Sequence, residues 1–155
     1  MPLYLKNLLF LIFVPGTVAG LVPLLLVVSG PPDLSGGRLA GLLPLFAGGG
    51  LLVWCISLFA TVGRGTPAPS DPPTRLVALG PYRIVRNPMY LGVLLLLLGE
   101  AVLWSSPGLL FYMAGVAIAF HLFVVLYEEP GLRTRFGDEY KRYTAGVPRW
   151  FPRLR

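Results

Sequence analysis

Charge is scarce in this 155-residue chain: 13% of its residues are Asp, Glu, Lys or Arg, against about 25% in an ordinary soluble domain. There is one cysteine, Cys55, and one histidine, His121. A lone cysteine excludes an intramolecular disulfide and any Cys-based metal cluster, and a lone histidine excludes paired-histidine zinc motifs. GxGxxG, P-loop, HExxH and GxSxG patterns are missing as well, so neither a metal site nor a familiar phosphate or nucleophile motif is expected. No internal repeat is visible.

What fills the chain is apolar. Hydrophobic residues make up 55% and the mean hydropathy is +0.71, which predicts an all-α integral membrane protein. A span needs about 20 mostly apolar residues. Four segments approach that length: Leu5 to Ser29, Leu39 to Val62, Met89 to Trp104 and Pro107 to Tyr127. The first is longer than a signal peptide's apolar region, contains Pro15 and Pro23 and lacks a small-residue cleavage site, so it is expected to be retained. The last two are separated by Ser105 and Ser106 alone, which predicts a tight antiparallel hairpin.

Four spans place Lys6, the segment around Arg64 to Arg86 and the C-terminal tail on one side, which collects 12 of the 13 Lys and Arg residues and leaves Arg38 opposite. The positive-inside rule then sets both termini in the cytoplasm. The net charge of +6 follows from this orientation and from attraction to anionic lipid, without a nucleic-acid partner. A single membrane domain is expected over 1–155, with residues 1–62 forming two N-terminal spans and 63–155 a loop, a hairpin and a tail. Gly16 and Gly20, and Gly48 to Gly50, offer small surfaces for close helix packing; Cys55 reads as packing.

The segment GRGTPAPSDPPTRLVALGPYRIVRN holds five of the sixteen prolines, so it is expected to be stiff but irregular. In the tail, Leu132, Phe136, Tyr140 and Tyr143 form one apolar stripe at helical spacing, on a helix lying on the membrane surface or folded back over the spans. Gly137 and Asp138 are positioned to break it. Trp150 and Phe151 suit either an interface anchor or a ligand contact.

The cytoplasmic pieces, 63–88 and 128–155, together contain 54 residues, too few for a separate nucleotide-binding α/β domain. A site must therefore be assembled from them and from the cytoplasmic ends of the spans. In a hairpin turning at Ser105 and Ser106, Tyr90 lies level with His121, and Arg86 and Asn87 lie near Tyr127, Glu128 and Glu129. Arg86, Asn87, Tyr90, His121, Glu128 and Glu129 thus converge. Four of them also have a plainer role: Arg86 as an orientation charge, Tyr90 as an interface aromatic, and the two glutamates as a cap for a helix starting at Pro130; His121, inside a span, calls for a partner. A charge at mid-membrane costs roughly 2.5 to 3.5 kcal/mol, so Glu100, near the far end of the third segment, is expected either to hydrogen-bond or to reach the far headgroups.

In order, LVALGPYRIVRNPMYLG, a hairpin, and EEPGLRTRFGDEYKRYTAGVPRWFP resemble the membrane-embedded S-adenosylmethionine-dependent methyltransferases of the isoprenylcysteine carboxyl methyltransferase and phospholipid methyltransferase family. The resemblance covers residues 76 to 152. It rests on Leu76, Val77, Gly80, Tyr82, Arg86, Pro88, Tyr90, Gly92, Glu128, Glu129, Leu132, Phe136, Gly137, Tyr140, Tyr143, Val147, Pro148 and Arg149. Asn87 departs from it, standing where the family pattern has histidine; an amide replaces a hydrogen bond but does not titrate near neutral pH.

The resemblance implies methyl transfer from S-adenosylmethionine to a lipophilic acceptor that arrives from the lipid, an isoprenylcysteine-like carboxylate first, with a phospholipid amine or a thiol as alternatives. It implies a cofactor site at Leu76, Val77, Leu79, Gly80, Tyr82, Arg86, Asn87, Pro88, Tyr90, Gly92, His121, Glu128 and Glu129. Within it Arg86 clamps the cofactor carboxylate, Glu128 or Glu129 meets its ammonium, and Glu129 or His121 is the candidate base for a protonated acceptor. Membrane sterol reductases share the RNPxYxG-like stretch and bind NADPH; the Glu-Glu pair and the small size favour methyl transfer. A non-catalytic membrane scaffold is the third reading.

Overall fold

The computed structural model describes residues 2–26, 36–67 and 73–153. The regular elements among these residues are all helical. We label the α-helices α1 (Leu3–Phe13), α2 (Val22–Leu26), α3 (Leu42–Leu58), α4 (Pro88–Leu103), α5 (Pro107–Phe123) and α6 (Glu129–Gly146). Residues 27–29 of the first expected span and 30–35 of the loop after it lie outside the described residues.

Three helical stretches are long and apolar enough to cross a membrane: Leu5–Leu26, Gly36–Gly63 and Pro107–Gly146. The third expected span, α4, has 16 residues, about 24 Å at 1.5 Å per residue, short of a hydrocarbon core about 30 Å thick. Eight of its residues are buried, so much of its apolar surface meets protein rather than lipid.

Helices α3 and α4 form the most extensive pair and run antiparallel in contact through glycine. Gly48 lies against Gly92, where a Cβ on Gly48 would stand 2.5 Å from the Gly92 carbonyl oxygen, and Gly41 lies against Gly99 at 2.7 Å. The glycines on each helix are seven residues apart, two turns, so one face of each meets the other backbone to backbone. The expected close packing at Gly48 is present. At Gly16, Gly20, Gly49 and Gly50 it is not: among the described residues a Cβ on Gly20, Gly49 or Gly50 would meet nothing within 4 Å, and one on Gly16 only the Leu11 carbonyl of its own helix.

Proline explains the irregular turns. Pro23 has no N–H for Ala19, four residues back, and Ala19 leaves the helical region (φ −111°, ψ 21°) within a π-turn at Thr17–Leu21. There the Val22 N–H bonds the Thr17 carbonyl, and the freed Val18 carbonyl accepts from Tyr112 Oη of α5 at 3.0 Å. A second π-turn, Val124–Glu128, lies just before Pro130, whose ring would crowd an ordinary preceding turn.

The second widened turn revises an expectation. Glu128 and Glu129 do not cap a new helix at Pro130; the helical path from Pro107 continues through them to Gly146. It bends at Gly137 (φ 49°, ψ −123°), where the sequence places a break. The hairpin turns where expected: Ser106 caps α5, its Oγ accepting from Leu109 N at 3.3 Å, and Pro107 occupies the first turn. Cys55 is fully buried in a core with Leu52, Tyr82, Val93 and Leu97.

Candidate active site

The chain leaves α3 through a third π-turn, Phe59–Gly63, and approaches α4 through a 3₁₀ turn at Gly80–Arg83. Asn7 of α1 donates to the Gly65 carbonyl at 3.3 Å, drawing the first helix over this loop. Pro88 starts α4. Beneath these segments, and against the stretch from Phe123 to Tyr143, lies a cavity of about 560 Å³, within the range of small-molecule sites. Phe10, Phe59, Leu76, Val77, Met89, Phe123, Val124 and Leu126 make its apolar walls; Arg86, Asn87, Tyr90, Glu128, Glu129, Tyr140 and Tyr143 bring its polar groups.

Consecutive residues on a helix point about 100° apart, and the two glutamates take different partners accordingly. Tyr90 Oη donates to Glu128 Oε2 at 2.6 Å. Glu129, 4% exposed, accepts from Arg86 Nη1 at 2.9 Å and from Arg149 Nε at 2.7 Å on Oε1, and from Arg149 Nη2 at 3.0 Å on Oε2. Arg133, one turn on, stands 3.7 Å away. Such a forked, charge-assisted arrangement is the strong form of the ion pair. Its hydrogen bond to Glu129 raises the pKa of Arg149 further above the ordinary arginine value. Arg86 Nε is buried and has no hydrogen-bond partner among the described residues.

The C-terminal segment folds back to close this cluster. Arg86 N donates to the Pro148 carbonyl at 2.8 Å, Asn87 Nδ2 to the Arg149 carbonyl at 3.1 Å, and Trp150 Nε1 to His121 Nδ1 at 3.1 Å. Tyr143 Oη reaches the Tyr82 carbonyl at 2.7 Å. The Tyr82 phenol is itself buried, and desolvation holds its pKa well above the ordinary value. Leu132, Phe136, Tyr140 and Tyr143, the apolar stripe of the tail, line the cavity, so this helix folds over the spans rather than lying free on the membrane. Phe151 stays exposed.

Of the residues expected at the site, Leu76, Val77, Tyr82, Arg86, Asn87, Tyr90, Glu128 and Glu129 line the cavity. Leu79, Gly80, Pro88, Gly92 and His121 lie elsewhere. Leu79 faces outward; Gly80 packs on Leu58 and Trp54, and Gly92 on Gly48 and Leu52. Pro88 is buried at the start of α4, and His121 is exposed and engaged by Trp150. Glu100 Oε2 is buried without a hydrogen-bond partner among the described residues, so of the two outcomes expected for Glu100, a hydrogen bond or the far headgroups, the first is not met at that oxygen. Arg149 was visible in the sequence as part of the VPR match but without a role; its side chain is what saturates Glu129. Among the described residues no group of three or more His, Cys, Asp or Glu is placed to hold a metal.

Residues 38–139 match the family model for phospholipid methyltransferases. The chain belongs to the phospholipid methyltransferase family. It is also 35% identical over 78 residues to Protein-S-isoprenylcysteine O-methyltransferase B of Arabidopsis thaliana, an alignment that covers 50% of this chain and 40% of that protein. This chain therefore spans less than half of that relative. No solved structure matches. The family match includes both glutamates and the Arg86 to Tyr90 stretch and ends before Arg149. This member of the phospholipid methyltransferase family thus completes its ion cluster with a residue beyond the matched region.

Proposed function

We propose that the protein is an integral membrane methyltransferase that binds S-adenosylmethionine in this cavity and methylates a lipophilic acceptor, a carboxylate on an isoprenylcysteine-like molecule. The observation that carries the reading is Arg86: it lines the cavity and holds Glu129 through Nη1, while its buried Nε–H has no partner among the described residues. A buried donor of this kind calls for an anion, and the carboxylate of the cofactor's amino-acid end fits it. Glu128, at the same cavity, fits the ammonium of that end. Leu76 and Val77 fit the adenine, and the ring of Tyr90 fits the sulfonium.

When bound, the cofactor supplies an electrophilic methyl group on a positively charged sulfur. The protein's share of the rate is positioning and exclusion of water. The aromatic wall supplies a dry surface, and the exposed Phe123, Leu126 and Tyr127 open that wall towards lipid, a route for a membrane-dissolved acceptor. Glu129 has its oxygens committed to three short N–H contacts, so the base role expected for it gives way to holding Arg86. His121 is outside the cavity lining. An acceptor that is already ionised needs no base, and this favours a carboxylate, consistent with the name of the Arabidopsis relative.

The family description favours a phospholipid amine as the second reading; it requires a proton acceptor, and Glu128 is the cavity carboxylate placed for it. Both readings put the termini and the site in the cytoplasm. The test is to incubate the purified protein in lipid nanodiscs with methyl-labelled S-adenosylmethionine and acceptors of each class. Label released by base as methanol supports the carboxylate, and base-stable label in phospholipid supports the amine. Saturable binding of NADPH with none of S-adenosylmethionine rejects both.

A further inference from the structure

Asn87 immediately precedes α4, yet its side chain does not cap the helix. Its side chain makes no hydrogen bond to the first turn; the amide is spent on the Arg149 carbonyl, 62 residues on, and is 6% exposed. With its backbone held there and the neighbouring Pro148 carbonyl held by Arg86 N, Arg149 meets Glu129 with two parallel N–H groups. Glu129 then draws a single N–H from Arg86. Without Arg149, the buried Glu129 carboxylate would keep Arg86 and the longer contact to the exposed Arg133 at 3.7 Å, and would claim the Arg86 guanidinium more fully.

We propose that Arg149 and Asn87 are positioning residues: Arg149 satisfies Glu129 in Arg86's place, and Asn87 fixes Arg149, so that the Arg86 Nε–H stays available for the carboxylate of the ligand. The identity of that ligand rests on the methyltransferase reading above; the arrangement of the four side chains does not. The amide at position 87 acts here as a donor to the backbone, with no proton to exchange, and a histidine with an N–H in the same place would serve.

The experiment is equilibrium binding to the full chain in nanodiscs of two ligands that undergo no transfer. S-adenosylhomocysteine carries the amino-acid end, and 5′-methylthioadenosine lacks it. Arg149→Met and Asn87→Leu are each expected to weaken S-adenosylhomocysteine by roughly 10- to 100-fold, the worth of one or two charge-assisted hydrogen bonds, with methylthioadenosine unchanged. Asn87→His is expected to retain wild-type affinity. Adding Glu129→Gln to Arg149→Met removes the competitor for Arg86 and is expected to restore part of the lost affinity, which a merely structural role does not predict. Where Arg149→Met is not recovered from membranes, Arg149→Lys carries the same comparison with a smaller loss. Unchanged S-adenosylhomocysteine binding in Arg149→Met, or equal loss of both ligands, overturns the inference while leaving the methyltransferase reading intact. A wild-type protein that binds neither ligand overturns both.

Discussion

Adjacent glutamates with unlike surroundings are the main lesson at the scale of single residues. Glu129 is enclosed by two arginines at hydrogen-bond distance, whereas Glu128 has Tyr90. Replacing Glu129 by Gln leaves two guanidinium groups facing a neutral amide and is expected to cost about 2–4 kcal/mol of stability. Glu128→Gln keeps an oxygen for the Tyr90 hydroxyl and is expected to cost less than about 1 kcal/mol, while weakening S-adenosylmethionine binding. Thermal unfolding of both variants in detergent, with binding measured on the folded fraction, checks the division. Equal loss of stability in the two variants contradicts it. The sequence marks both glutamates and Arg86 as chemistry out of place beside a membrane span. It does not say which glutamate is saturated, because that depends on a helical phase set by the π-turn before Pro130 and on Arg149, 20 residues further along.

At the scale of elements, glycine and proline divide the work. The α3 and α4 backbones approach at Gly48 and Gly92 so closely that a methyl group has no room, and Gly48→Ala is expected to destabilise by about 1–3 kcal/mol. Gly49, one position on, has nothing among the described residues within 4 Å of an added Cβ; Gly49→Ala is expected to stabilise by up to about 1 kcal/mol through helix propensity. Opposite signs in thermal unfolding are the readout. Proline acts by freeing carbonyls: the Val18 carbonyl exposed by the turn before Pro23 takes the Tyr112 hydroxyl. Tyr112→Phe is expected to lose about 0.5–1.5 kcal/mol, measured in the same assay. Both devices leave traces in the sequence as small-residue spacings and prolines in apolar runs. The traces do not name partners: Gly16 and Gly20 look as suited to close packing as Gly48, and of these three only Gly48 has a second helix against it among the described residues.

For the whole molecule, the proposed orientation rests on the distribution of basic residues along the helical path. Helix α6 and the segments around Arg64 to Arg86 gather at the site end, and Arg38 belongs to the other end of α3. With Cys55 fully buried, the natural thiol is expected to be silent towards a membrane-impermeant maleimide, while Lys141→Cys is labelled from the cytoplasmic side alone. Labelling of Lys141→Cys in intact cells contradicts the proposed topology.

Composition and order in the sequence by themselves determined that this is a helical membrane protein with a tight terminal hairpin, and that its charged groups collect at one end near Arg86 and Glu128. Hydrophobic run length and turn chemistry are local properties, and a hairpin turn of two serines fixes depth by counting. Tertiary structure alone decided which residues face the cavity. Leu79, Gly92 and His121 turn away from it while Phe10, Tyr140 and Tyr143 turn towards it, because facing depends on helix phase, on π-turns that shift that phase, and on a C-terminal segment whose contact with Asn87 spans 62 residues. Those are relations between distant parts of the chain, and they come into being only when the chain has packed.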